Sequence, residues 1–397
     1  MSLDGAVGVV GDRCGGYQRD HGGRDRCGDH GDTGGEDTSG DQKPADLQDQ
    51  EPVDGAGGRA YEAQRGRGDT LNRGPGGSLL TSVEICTGAG GQALGLEQAG
   101  FDHRAVVEID RHACGTLRAN RPEWNVIEQD LLAWDPIGHE GVDLLAGGVP
   151  CPPFSKAGRQ LGADDERDLF PRAIELVDAL RPKAVMLENV RGLLDIVFQT
   201  YRSGVEQQLK DLGYEPDWRL LNASDFGVSQ LRPRVIFVAV RKDLGRPFEW
   251  PVPAPEATAP TVGEALRDLM AANGWEGADE WAAQANTIAP TLVGGSKKHG
   301  GPDLGPTRAR RAWESLGVNG KTLAEEAPAP GFTGLPRLTV EMAARIQGFP
   351  PEWHITGRKT NAYRQVGNAF PPPVAKAVGE QIKATILGAR PGLQVVA

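Results

Sequence analysis

The sequence predicts an α/β fold: a Rossmann-like parallel sheet with helices on both faces and a second, smaller, irregular domain. Three observations carry this. Strand-like and helical runs alternate from residue 82 to about 240, the pattern of a parallel sheet. The first strand runs into a glycine turn that opens a helix, "GAGGQA", Gly88 to Ala93. Polar residues recur just past the strand ends, where open α/β sheets hold their ligands.

The elements follow in order. "SVEIC" and "RAVVEI" read as strands, with "QALGLEQAG" between them as a helix closed by Gly100. "DRHACGTLRAN" is a second helix. "VDLLAG" is a strand, and "DLFPRAIELVDAL" is a helix with Phe170, Ile174 and Val177 on one face. "AVMLEN" and "RVIFVAVR" are further strands, the latter fully buried. After Arg241 the texture changes: "RPFEWPVPAPEATAPTVG" reads as a proline-rich linker. Order returns at "LTVEMAARIQGF" and at "PPPVAKAVGEQIKATIL", a helix introduced by prolines. The expected division is a tail over 1–78, a larger domain over 79–245 and 337–390, and a small domain over 246–336.

Composition sets bounds. Residues 1–78 hold 20 of the 55 glycines and few branched aliphatic residues, a composition expected to be disordered. Cys14, His21, Cys27 and His30 within it match no zinc spacing, so no metal site is expected. No signal-peptide pattern and no long apolar run occurs, which predicts a cytoplasmic protein with its five cysteines reduced. The net charge of −11 excludes a uniformly basic nucleic-acid-binding chain but not a local basic surface. "GGSKKHGG" (Lys297, Lys298) and "TRARRAW" (Arg308, Arg310, Arg311) are the local candidates; on charge alone both read as solvated surface.

Several residues stand out chemically. Glu108 lies 20 residues after Gly88, where a carboxylate accepts hydrogen bonds from a ribose; NAD, FAD and S-adenosylmethionine sites share this arrangement. Asp130 follows "NVIEQ". Cys151 sits between Pro150 and Pro152, a stiff turn past a strand end that can hold a sulfur exposed in a cleft. Glu188 ends an apolar strand, where a carboxylate is costly unless paired or functional. "QLRPR" places Gln230, Arg232 and Arg234 before the next strand, able to hold a phosphate, a base oxygen or a carboxylate.

Together these motifs resemble the DNA cytosine-5 methyltransferases of bacterial restriction-modification type, in that family's order, from about Ser82 to Gly379. "EICTGAGGQALGLEQAG" resembles the cofactor loop, "VVEID" the ribose segment and "EQDLL" the adenine-contacting acid. Cys86-Thr87-Gly88 stands where the family has Phe-Ala-Gly, so an aromatic contact is missing. "GGVPCPPFSKAGRQLG", "LENVRGL" and "QLRPRVIFVAVR" resemble the nucleophile motif with its mobile loop, the Glu-Asn-Val motif and the Gln-x-Arg-x-Arg motif. "RLTVEMAARIQGFPPEW" and "AYRQVGNAFPPPVAKAVG" resemble the closing motifs. The resemblance implies S-adenosyl-L-methionine as cofactor, bound by Cys86, Gly88, Ala89, Gly91, Glu108, Ile109, Asp130 and Asn368. It implies Cys151, Glu188, Arg232 and Arg234 as catalytic residues. It implies a flipped cytosine in double-stranded DNA, contacted by Ser155, Gln230, Thr291, Lys297 and Lys298, with 246–336 as the target-recognition domain. A monomer is expected, paired in function with a restriction endonuclease.

Three other readings fit less of the sequence. A nicotinamide-dependent oxidoreductase explains Glu108 but gives Cys151, Glu188 and the arginines no joint purpose. A tRNA cytosine-5 methyltransferase would carry a Cys-Phe-Thr signature after the Glu-Asn-Val motif, and no cysteine follows Cys151. A non-catalytic DNA-binding regulator would not need Cys151, Glu188 and both arginines.

Overall fold

A computed structural model describes residues 79–150, 168–253, 259–294 and 301–389. The expected tail and its cysteines and histidines, together with Cys151, Ser155, Lys297 and Lys298, lie outside the described residues. Seven strands form one sheet: β1 (Leu80–Ile85), β2 (Phe101–Glu108), β3 (Val126–Glu128), β4 (Leu144–Gly147), β5 (Ala184–Val190), β6 (Tyr214–Asn222) and β7 (Pro233–Arg241). Their order is β3-β2-β1-β4-β5-β7-β6. The strands from β3 to β5 are parallel. The order reverses at β1, between β2 and β4, and at such a reversal crevices open past the strand ends.

The fully parallel reading needs correcting at one edge. β7 runs antiparallel to both β5 and β6. The connection from Asn222 to Pro233 holds a short 3₁₀ turn and no crossover helix, so β7 folds straight back against β6. A parallel crossover needs a dozen or more residues, usually a helix.

Alternation of side chains builds a core on each face. Val83, Ile85, Val107, Leu145, Leu187 and Phe237 pack on one side against α3 (Phe170–Leu180) and α4 (Gln199–Asp211). Leu144, Ala146, Met186, Ile236 and Val238 pack on the other against α1 (Gly91–Ala99) and α10 (Pro372–Leu387). The expected helix over 91–99 does end at Gly100, whose φ of 96° is left-handed. α2 (Arg111–Asn120) starts where the Asp110 carboxylate accepts from the His112 and Ala113 amides.

Residues 246–336 are more ordered than their Gly and Pro content suggests. They hold α5 (Val262–Met270), α6 (Ala278–Gln284) and α7 (Thr307–Ser315). Their apolar side chains share one core with α8 (Val340–Ile346), with α9 (Lys359–Asn368), which the sequence reading missed, and with Leu94 and Leu117 of α1 and α2. The described start of the proline-rich stretch after Arg241 is docked against the sheet. Trp250 is buried there, donates from Nε1 to Asp217 Oδ2 at 2.6 Å on β6, and lies under the Arg219 guanidinium.

The α1–α10 contact depends on Gly95. A Cβ there would sit 2.4 Å from the Pro372 carbonyl oxygen and 2.6 Å from the Ala375 methyl. Gly95→Ala therefore forces the two helices apart and is expected to lower unfolding stability by about 1–3 kcal/mol, measured by urea denaturation. An unchanged midpoint would mean that the helices slide freely.

Candidate functional site

The turn after β1 is held in place by one carboxylate. Glu108, at the end of β2, accepts from the Gly88 amide through Oε2 and from the Asp110 amide through Oε1, both at 2.7 Å. Gly88 and Gly90 have left-handed φ of 57° and 83°. Cys86 has a φ of 52° without being glycine, a conformation that costs an L-residue free energy. Trp353 braces the turn from behind, donating from Nε1 to the Ala89 carbonyl at 3.0 Å. Gly91 allows the closest approach: a Cβ there would lie 2.1 Å from the Phe370 carbonyl oxygen.

In front of the turn opens a cleft with an accessible volume of about 220 Å³. Of the expected site residues, Cys86, Gly88, Ala89, Glu108, Glu188 and Asn368 line it. Gly91, Ile109 and Asp130 do not. Gly91 shapes the turn, Ile109 is exposed, and Asp130 is an exposed carboxylate accepting from the Leu132 amide. Asp130 is still felt at the wall. Burial first, then Glu108, Asp130 and Glu84, push the Cys86 thiol far up, so it stays protonated. Cys114, deeper in α2, is pushed up to about 12, chiefly by burial. The two described cysteines are therefore poor nucleophiles.

The wall also carries groups the sequence reading missed. Glu84, on β1, is fully buried; no hydrogen bond of good geometry reaches its carboxylate oxygens, and the Ala93 amide nearby offsets its burial only in part. Burial pushes its pKa well up. The signal was available: a carboxylate inside "SVEIC" is as costly as the Glu188 in "AVMLEN". A polar stripe of α9 faces the same cleft through Asn361, Arg364, Gln365 and Asn368, spaced as one helix face. That spacing stands in "NAYRQVGN" but shows only once the segment is known to be helical.

At the far side of the cleft, Arg234 Nε meets Glu188 Oε1 at 2.8 Å. The other oxygen, Oε2, lies 3.5 Å from where a Gly148 Cβ would be, so it faces the chain leaving β4. Burial raises the Glu188 pKa more than Arg234 and Arg232 lower it. Asn189 donates to the Val149 carbonyl at 3.0 Å and Leu169 to the Pro150 carbonyl at 3.4 Å, which fixes the backbone just before Cys151.

Two expected site residues are used differently. Arg232 is fully buried and donates to the carbonyls of Leu292, Gly367 and Ala369 at 2.8, 2.8 and 3.0 Å. Gln230, also fully buried, donates to Gln347 Oε1 at 2.8 Å and accepts from the Leu292 amide at 2.8 Å. Neither side chain reaches solvent: in this structure Arg232 and Gln230 hold the start of β7 to Leu292, Gln347 and the end of α9 rather than facing the cleft. Thr291 is half-buried, its hydroxyl donating to the Leu231 carbonyl. Among the described residues no group of three His, Cys, Asp or Glu side chains could hold a metal ion, and no helix is long and apolar enough to cross a membrane.

The cleft suits a cationic nucleoside. A buried carboxylate without a charged partner, Glu84, and the carboxylate at the turn, Glu108, both face it. S-adenosylmethionine carries a ribose, an ammonium and a sulfonium, and these residues fit it.

Comparison with known proteins gives the same direction. Residues 80–384 match the family described as C-5 cytosine-specific DNA methylase. The chain is 60% identical over 313 residues to Type II methyltransferase M.NaeI of Lentzea aerocolonigenes, covering 77% of this chain and 75% of that one. It is 57% identical over 306 residues to Type II methyltransferase M.NgoMIV of Neisseria gonorrhoeae, covering 76% and 97%. Among solved structures, a Spodoptera frugiperda DNMT2 mutant superposes with a TM-score of 0.54 at 19% identity, over 77% of this chain and 99% of that one. S. pombe Dnmt2 methyltransferase gives 0.53 at 17%, over 78% and 98%. At those identities the structures speak for the fold alone.

Removing the charge of Glu84 separates its effects. The folded-state pKa lies above the unfolded one, so wild-type stability falls as pH rises past the ordinary carboxylate range. Glu84→Gln lacks that fall. Without ligand it is expected to be more stable than wild type at neutral pH and equal to it near about pH 4, by thermal unfolding. Calorimetry should show weaker S-adenosylmethionine binding. Equal stability at both pH values would mean that folding does not shift the Glu84 pKa.

Proposed function

The chain belongs to the C-5 cytosine-specific DNA methylases and is a DNA cytosine-5 methyltransferase; from that premise we propose that it methylates a flipped cytosine through a covalent adduct with Cys151. The observation that carries this reading is the single cleft with the Glu108-held turn at one end and the Glu188–Arg234 pair at the other.

S-adenosyl-L-methionine, when bound, supplies an electrophilic methyl group. Glu108 would accept from the ribose hydroxyls, and Glu84 would face the cationic methionine end. Asn368 and the α9 stripe would supply polar contacts, and Asp130 would approach from outside the wall. Cys86 would give the purine a small neutral thiol where an aromatic ring is usual in the family.

Carbon 5 of cytosine is a weak nucleophile. Addition of the Cys151 thiolate at carbon 6 breaks the ring's aromaticity and places electron density on carbon 5. Glu188 in its protonated form can donate to ring nitrogen 3 and stabilise that density. Its burial favours this form, and Arg234 fixes its orientation. After methyl transfer, loss of the carbon 5 proton lets the sulfur leave carbon 6 and restores the ring. The Asn189 and Leu169 contacts to the chain before Cys151 limit where the sulfur can sit, and orientation counts strongly in such an addition.

The target base must leave the duplex to enter the cleft. Residues 246–336, with Thr291, Lys297 and Lys298, and Ser155 of the nucleophile segment, are proposed to hold and read the DNA. The Type II names of the relatives support a function paired with a restriction endonuclease. The reading keeps the enzyme in the cytoplasm beside the DNA, acting as a monomer.

Cys151→Ser is expected to abolish methyl transfer while leaving S-adenosylmethionine binding intact, because an alcohol is far less nucleophilic at neutral pH. Duplex DNA with 5-fluorocytosine in place of cytosine should trap a covalent adduct with wild type only. Peptide mapping that found the adduct on Cys86 or Cys114 would overturn the assignment.

A further inference from the structure

The basic stretch "TRARRAW" lies on α7. No other described helix carries three arginines within four residues. The buried side of α7 is fixed by Trp313, which is fully buried, and by Leu316. Arg310 lays its stem over Gly320 and is half-buried. Arg308 and Arg311 stand one turn apart on the opposite, exposed face, and neither has a carboxylate partner among the described residues. Several helical arginines are paired, Arg118 with Glu128, Arg172 with Glu175, Arg267 with Asp279 and Arg345 with Asp268, but Arg111, Arg202 and Arg364 have no carboxylate partner among the described residues. In a chain of net charge −11, α7 thus sets two exposed guanidinium groups without carboxylate partners one turn apart on a single helix face.

Their place in the fold ties them to the cleft. Gly305 packs between α7 and the 289–294 segment: a Cβ there would lie 3.4 Å from the Ala309 methyl and 3.8 Å from Val293 Cγ2. Gly294 in turn lies against α9, where a Cβ would be 2.5 Å from the Arg364 carbonyl oxygen and 2.7 Å from Asn368 Oδ1. Arg364 and Asn368 line the cleft. Close packing thus runs from the cleft wall to α7 and holds that helix next to the site.

We propose that the Arg308–Arg311 face of α7 docks the sugar-phosphate backbone of duplex DNA beside the cleft. The proposal rests on the chain acting on DNA. Guanidinium groups suit phosphate because they give two parallel donors to its oxygens and keep their charge. Such contacts orient the duplex without reading its sequence. They also supply a local attraction that the chain's negative charge does not.

The test measures binding of a labelled mixed-sequence duplex across a range of salt concentrations. Each phosphate neutralised contributes about 0.9 to the slope of log affinity against log salt, so Arg308→Gln with Arg311→Gln should reduce the slope by about 1.8. The loss should be equal for unrelated sequences. Arg308→Lys with Arg311→Lys, which keeps the charges, should retain most of the slope. Thermal unfolding of both double variants should match wild type, since both side chains are exposed. An unchanged slope in the glutamine pair, or a loss confined to one DNA sequence, would overturn the docking role. If wild type itself showed no salt-dependent binding, the DNA reading beneath the proposal would fall instead.

Discussion

The buried guanidinium of Arg232 is the contact on which the molecule's layout depends. It stands at the base of β7 and reaches carbonyls at Leu292, Gly367 and Ala369. Those carbonyls belong to the segment leading from the small domain and to the joint between α9 and α10. A buried charge costs several kcal/mol unless its donors are satisfied, and here backbone oxygens satisfy both terminal nitrogens. Gln230 extends the network through the Leu292 amide and Gln347. The sheet, the segment around Leu292 and the helix that walls the cleft therefore meet at one set of hydrogen bonds that works only when all are in place.

The cleft stores unfavourable electrostatics in a similar way. Glu84, Glu108 and Glu188 are all pushed towards their protonated forms, with burial as the first cause in each case. They are compensated differently. Glu108 is held by backbone amides, Glu188 by Arg234, and Glu84 only in part, by the Ala93 amide. A cationic ligand is the natural complement for the last, and a protonated carboxyl is the useful state for the second. The left-handed Cys86 adds backbone strain at the same turn. Local cost concentrated at one cleft is the pattern of a functional site rather than of a core.

The negative net charge does not conflict with a DNA substrate. Some surface acids of the sheet domain sit in pairs with arginines, such as Glu128 with Arg118 and Asp243 with Arg241. The cations without such partners are the ones that a polyanion can use. Distribution, more than the sum, decides where a duplex settles.

The sequence by itself determined most of the strands and helices from "SVEIC" to "RVIFVAVR", though not α4 or β6, together with the Glu108 turn and the oddity of Glu188. Each is written in local periodicity or in a residue type that its neighbours make costly. It could not show that β7 turns back on β6, because strand direction depends on how a connection crosses the sheet and not on composition. Nor could it rank the two arginines of "QLRPR". They alternate along one segment, and only the tertiary structure buries Arg232 among carbonyls while leaving Arg234 beside Glu188. Glu84 was readable by the same reasoning that singled out Glu188. The α9 stripe was not, since its four polar residues converge only when a helix brings positions three and four apart onto one face and the fold turns that face to the cleft.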